Sequence, residues 1–241
     1  MCLSWNNKSV KIALCFSGQA RSFVKGYEYY YKNLLSKFDV DVFIHTWSGD
    51  HIDQINALYK PISMQIDAPL LINVDEKYIN TPNAKKWPPR FTISSYYSIF
   101  RCCLLKIDHE VKTKQYDWVI KTRFDFALPV VIPFEKLHKN KVHMPPCRTK
   151  AFGDWLGNDQ FAIGDSNVMN MYMSTYINLD KYYNSGVEMI GEEMLRANLI
   201  ENNLIKDNLI YIDMPAPFAP GPHNGTPHFL IRDDYEQWTK S

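Results

Sequence analysis

Apolar residues follow two rhythms along this chain, and their alternation outlines the fold. Lys11 to Phe16 (KIALCF) is a short apolar run closed by Ser17 and Gly18, the pattern of a buried strand ending in a tight turn. Phe23, Tyr27, Tyr30, Tyr31, Leu34, Leu35 and Phe38 then recur at helical spacing and mark one face of a helix. A second apolar run, Val40 to Trp47 (VDVFIHTW), follows at once. Strand, helix and strand in so short a span predict a βαβ unit, with parallel strands joined by a right-handed crossover.

Pro61–Ile66 and Leu70–Val74 read as short strands, and Asn80–Arg90, with Trp87 among three prolines, reads as an irregular loop, either a lid or a connector. Ile93, Tyr96, Tyr97, Phe100, Cys103, Leu104, Ile107 and Val111 form the stripe of a long helix. It leads into Tyr116–Leu128 (YDWVIKTRFDFAL), an apolar strand whose far end is charged. Alternate residues of a strand share a face, about 6.6–6.8 Å per pair, so Lys121, Arg123 and Asp125 are expected side by side. Charges at the end of a buried strand are costly to desolvate and packing does not require them, so this stretch reads as a site.

Beyond it come a strand at Lys141–Met144 and a glycine-punctuated loop, Phe152–Gly164, carrying Asp154, Asn158, Asp159 and Gln160. Ser166 is expected to cap a helix bearing Val168, Met171, Tyr172, Tyr176 and Leu179. A further helix carries Glu188, Glu192, Glu193, Leu195 and Leu199, a strand spans Leu209–Ile212, and Pro215–Gly225 is irregular. No repeat or linker divides the chain. The expectation is a single α/β, Rossmann-like domain with a mostly parallel central sheet flanked by helices. Such sheets bind ligands outside the carboxyl ends of their strands. That edge holds Ser17, Gly18, Gln19 and Arg21, with His45, Thr46 and Trp47 beside them, and Arg21 falls in a first helical turn whose amides favour an anion.

Composition narrows the chemistry. A net charge of +1 and the lack of a basic run argue against nucleic-acid binding. Five cysteines without CxxC spacing fit reduced thiols, and the first residues lack a signal-peptide layout. No apolar run is long enough to span a membrane, so a cytoplasmic protein, peripheral to a membrane at most, is expected. GxxxxGK[ST], GxGxxG, GxSxG and HExxH are all absent, which disfavours P-loop NTPases, dinucleotide oxidoreductases, α/β-hydrolases and zincins. A group transfer using a polarising cation and a general base remains.

Four segments carry a family resemblance: Ala13–Arg21 (ALCFSGQAR), Asp41–Trp47 (DVFIHTW), Tyr116–Phe126 (YDWVIKTRFDF) and Gly157–Gly164 (GNDQFAIG). In this order they resemble GT-A-type nucleotide-sugar glycosyltransferases of the WavE-like lipopolysaccharide and viral-glycan group. The resemblance implies a GT-A-like domain over residues 1–241, with a nucleotide-binding half at 11–115 and a donor-diphosphate and acceptor half at 116–241. The implied substrates are a nucleoside-diphosphate sugar and a glycan or lipid-linked glycan acceptor. Arg123-Phe124-Asp125 stands where the family carries Asp-x-Asp, so Asp125, completed by His223, would bind Mn²⁺ or Mg²⁺. Arg123 replaces the first acid, and it or Lys121 can meet the diphosphate directly. Asp159 is the first choice of general base, with Asp154 and Glu192 next; Asp159 as a turn residue bonding its own backbone stays open. Two other readings remain, a catalytically silent carbohydrate-binding or scaffold protein and a phospho- or nucleotidyltransferase.

Overall fold

The computed structural model describes residues 10–49, 51–69, 76–79, 84–85, 88–145, 158–212, 214 and 229–231. The strands are β1 (Lys11–Ser17), β2 (Asp39–Trp47), β3 (Ser63–Asp67), β4 (Trp118–Thr122), β5 (Val142–Met144), β6 (Ala162–Gly164) and β7 (Leu209–Tyr211). They form one sheet in the order β3-β2-β1-β4-β6-β5-β7. β1 pairs in parallel with β2 and β4, and β2 with β3. β6 is antiparallel to β4 and β5, while β7 lies parallel to β5. Among the described strands β6 alone runs against the rest. The fold is therefore α/β with a mostly parallel sheet, and its two sequence halves share that sheet through the β1–β4 pair.

The helices are α1 (Phe23–Tyr30), α2 (Ile52–Tyr59), α3 (Glu76–Ile79), α4 (Pro89–Lys112), α5 (Ser166–Met173), α6 (Leu179–Asn184) and α7 (Gly191–Glu201). Alternation along the strands feeds two cores. Ile12, Leu14 and Phe16 of β1, with Ile120 of β4, pack towards α1 and α2. Ala13, Cys15 and Val119 pack on the other face against α4, α5 and α7. The smaller side chains on that second face let the 24-residue α4 lie close to β1 and β2. Pro89 opens α4 at its first turn, where a missing N–H costs no helical hydrogen bond.

Several expectations change. β4 ends at Thr122, so Arg123 and Asp125 lie in the following turn and share no strand face with Lys121. The stripe expected on α4 is rotated: Leu104 and Val111 are exposed, while Thr92, Tyr96, Ile99, Cys103 and Lys106 are buried. Apolarity misplaced that face because its buried polar groups have partners. Thr92 donates to the Met189 carbonyl at 3.1 Å, and the Lys106 ammonium donates to Glu110 at 2.5 Å and Ser166 at 2.6 Å. The expected first helix is α1 followed by one π-helical segment, Tyr31–Leu35, and Phe38 lies beyond it. The cap of α5 is Asp165, whose carboxylate accepts from the Val168 N–H at 3.2 Å; Ser166 is the first helical residue. That helix stops at Met173, and Tyr176 and Leu179 belong to later elements. The strand expected at Leu70–Val74, the Pro215–Gly225 tail and most of Asn80–Arg90 lie outside the described residues.

Helix α1 crosses the exit of β4 so closely that a methyl group on Gly26 would overlap the Phe124 carbonyl oxygen. Gly26→Ala is expected to lower stability by about 1–3 kcal/mol, as overpacking does, and to disturb the Arg123–Asp125 turn. Gly49→Ala, with open space around it, is expected to change stability by less than about 1 kcal/mol. Urea denaturation of both variants checks the pair.

Candidate functional site

The strand order reverses beside β1, where the chain leads to β2 on one side and β4 on the other. Such reversals open a crevice at the carboxyl ends of the strands. The crevice here holds two cavities. One, of about 380 Å³, is lined by Ser17, Gly18, Gln19, Arg21, Trp47, Lys121 and Arg123, with Phe91, Ser94 and Ser95 of α4. The other, of about 450 Å³, includes Asp159, Gln160, Gly191, Glu192 and Leu230. Arg21, Phe91, Ser95 and Arg123 line both, so the two form one cleft.

Its floor is set by the turn after β1. Gly18 takes φ +98°, a left-handed conformation open to glycine. Its N–H donates to Ser98 Oγ at 2.7 Å and to the His45 carbonyl at 3.2 Å, and its carbonyl accepts from Thr46 Oγ1 at 2.9 Å. Gly18 thus shapes the cleft without offering its N–H to a ligand. His45 and Thr46, expected to contact a donor, are fully buried behind this turn. Hydrogen bonds from Gln65, His45 and Tyr97 hold the Asp67 carboxyl down to about 2. The ionised Asp67 accepts from His45 Nε2–H at 3.1 Å, which leaves Nδ1 to accept the Ser98 hydroxyl at 2.8 Å. Burial lowers the His45 pKa, so the neutral ring is favoured. The chain from Asp67 through His45 and Ser98 to Gly18 is a fixed polar brace.

The cationic wall comes from β4 and its turn. Lys121 is 1 % exposed, and its ammonium donates to the Asp159 carbonyl. Burial pulls its pKa down to about 8, against the attraction of Asp159. Arg123 grips Asp125 through both ends of its fork, Nε to Oδ1 at 2.8 Å and Nη2 to Oδ2 at 2.7 Å. A divalent cation approaching that carboxylate meets the guanidinium first, so Asp125 does not fit the expected metal ligand. No group of three or more His, Cys, Asp or Glu among the described residues is placed to hold a metal ion. His223 and Asp154 lie outside the described residues.

The acidic wall joins the entry of β6 to the start of α7. Asn158, not Asp159, is the turn residue: its Oδ1 accepts from the Gln160 N–H at 2.7 Å. Asp159 is left beside Gly191, where an added methyl would lie 3.1 Å from Oδ2. Glu192 follows in the first turn of α7. Burial, with the Asp159 charge alongside, pushes the Glu192 pKa up to about 7. The late segment 229–231 closes this side, its Ile231 N–H donating to the Asp125 carbonyl at 2.7 Å and Leu230 bridging to Phe126. Phe91, Ser94, Ser95, Gly191 and Leu230 were not anticipated; the SerSer pair beside the buried stripe of α4 was the one visible signal for them.

A family model described as a domain of unknown function (DUF7796) matches residues 7–219. The chain belongs to this family. The match takes in both walls of the cleft short of segment 229–231. No curated protein matches the sequence.

Lys121 is a stability cost of this site. Its folded pKa lies below the unfolded value of 10.5, so the unfolded chain binds more protons between about pH 8 and 10.5 and this group's contribution to stability rises with pH there. Lys121→Met is expected to stabilise the protein at pH 7 by on the order of 2 kcal/mol, roughly 4–8 °C for a chain of this size. The advantage should shrink by pH 9.5. Thermal melts of both proteins across that range test it.

Proposed function

We propose that this protein transfers a sugar from a nucleoside-diphosphate sugar to a hydroxyl of a glycan or lipid-linked glycan acceptor, as a GT-A-like glycosyltransferase. The observation that carries this reading is the division of one sheet-edge cleft into a cationic wall, Arg21, Lys121 and Arg123, and an acidic wall, Asp159 and Glu192. Sugar transfer from a diphosphate needs both. Charge develops on the departing diphosphate while the acceptor hydroxyl loses a proton, and the two events lie on opposite sides of the anomeric carbon when configuration inverts.

In such a transfer Glu192 is the base. A carboxyl that titrates near 7 is half ionised at neutral pH and matched to taking a proton from an attacking hydroxyl. The hydroxyl oxygen bonds to the anomeric carbon, the bond from that carbon to the diphosphate oxygen breaks, and its electron pair leaves with the nucleoside diphosphate. Arg21, Lys121 and Arg123 meet the charge that departs. Asp159 raises the affinity of Glu192 for the proton it collects. Trp47, its ring stacked on Tyr97 at 5.9 Å, contributes an aromatic ring to the lining of the first cavity. A cytoplasmic site of action fits the buried free thiols Cys15, Cys102 and Cys103. No helix among the described residues is long and apolar enough to cross a membrane, which accords with at most peripheral attachment to one.

A thermal-shift panel of nucleotide sugars and bare nucleoside triphosphates identifies the donor class, because a ligand bound by the native state raises the midpoint. Sugar nucleotides are expected to shift it, whereas stabilisation by triphosphates alone would favour a nucleotidyl- or phosphotransferase. With the donor identified, Glu192→Gln is expected to lower turnover by roughly 10²–10⁴ while leaving donor binding intact, and to abolish the acidic limb of the pH profile near 7. Asp159→Asn removes a negative neighbour and should move that limb to lower pH. Normal turnover by Glu192→Gln would sink the assignment of the base.

A further inference from the structure

We propose that the diphosphate of the donor is held by a metal-independent cradle of Arg21, Lys121 and Arg123, in which Asp125 is a positioning residue for Arg123 rather than a metal ligand. The inference rests on the sugar-nucleotide reading for its ligand, but it does not depend on which carboxylate acts as the base. It begins with the asymmetry of the Arg123–Asp125 pair. The Asp125 side chain is 5 % exposed and the Arg123 side chain 35 %. The acid lies behind the wall, and the guanidinium, one edge clamped by both carboxylate oxygens, opens onto both cavities.

A guanidinium carries five N–H donors in a rigid plane, and a two-point grip through Nε and Nη2 uses one edge of it. The donors on Nη1 and the second on Nη2 remain. Fixing the plane in advance removes the entropy that a free arginine would lose on meeting an anion. The clamp is itself anchored, since the Asp125 carbonyl accepts from Ile231 N–H at 2.7 Å and the Phe126–Leu230 bridge follows at once. Arg21 reaches the same junction from the turn before α1, and Lys121 brings a third cation to the first cavity. The three cations outnumber the two carboxylates that act on them, Asp125 and Asp159, so the cavity keeps an excess of positive charge for a diphosphate.

A divalent ion serves the diphosphate by neutralising charge and fixing two oxygens, and Mg²⁺ or Mn²⁺ requires several hard oxygen ligands to stay. Here the carboxylate expected to supply them is spent on the guanidinium. The cradle neutralises the same charge with groups already in place. Asp125 also acts against simple Coulomb expectation: a negative charge beside an anion site should weaken it, and it strengthens the site by orienting its arginine.

The test uses the whole chain and inorganic pyrophosphate as the probe, by titration calorimetry in EDTA. Wild-type protein is expected to bind pyrophosphate without metal. Arg21→Ala, an exposed position whose loss leaves the core untouched, should weaken binding about tenfold, and Arg123→Ala by at least as much. Asp125→Asn should weaken it several-fold although the change removes a negative charge. Circular dichroism and the thermal midpoint establish that each variant is folded, and Arg21→Ala keeps the proposal testable should Asp125→Asn fail to fold. Binding only with Mn²⁺, unchanged or tighter binding by folded Asp125→Asn in EDTA, or wild-type affinity in Arg21→Ala overturns the cradle. Sugar-nucleotide turnover that requires Mn²⁺ overturns the cradle and leaves the glycosyltransferase reading standing. Metal-free pyrophosphate binding without any sugar-nucleotide binding does the reverse.

Discussion

β1 is hydrogen-bonded along both edges, to β2 and to β4, and its side chains from Ile12 to Ser17 are buried on both faces. A strand so enclosed has one way out, at its carboxyl end. The chain therefore turns sharply at Ser17 and Gly18, and the left-handed φ of Gly18 lets it leave without a clash. The polar groups of that turn are buried with it and must be satisfied in place. Ser98 of α4, Thr46 of β2 and the His45 carbonyl do so. The cleft floor is consequently part of the core, braced from two neighbouring elements.

The same enclosure sorts the charges. β4 lies against β1 with Trp118 to Ile120 buried, and Lys121 is drawn inside with them. Its ammonium keeps one backbone partner, the Asp159 carbonyl, and this ties the end of β4 to the loop that carries the acidic wall. Cationic and acidic walls are thus coupled through one contact. Asp159 and Glu192 stay close enough for the charge of the first to hold a proton on the second. A buried carboxyl beside a like charge is costly to ionise.

The sequence resolved unevenly into this picture. β1, β2 and β4 were legible because continuous β-prone runs between turn signals have few other uses, and the edge they define placed Ser17, Gly18, Arg21, Trp47, Lys121 and Arg123 on the cleft. α4 was legible as a helix but not as a face. Its buried side includes Lys106, Ser98 and Thr92; besides Glu110 one turn from Lys106, their partners sit 60, 53 and 97 residues away, and no local pattern announces partners so distant. His45 and Thr46 were assigned to the site by adjacency, whereas His45 is buried against Ser98 of α4 and Thr46 against the Gly18 carbonyl.

The sequence by itself determined the parallel α/β core, the edge at which a ligand would lie and the residue types available there, because strand periodicity and chain connectivity are local properties. The roles of those residues were decided by tertiary structure. Lys121, Arg123 and Asp125 read as neighbours on one strand face; the end of β4 at Thr122 broke that face and folded Asp125 back onto Arg123. Asp159 and Glu192, more than thirty residues apart, became a pair when α7 packed beside the entry to β6. Charge–charge coupling depends on distance through space, and distance is fixed only when the chain has closed on itself.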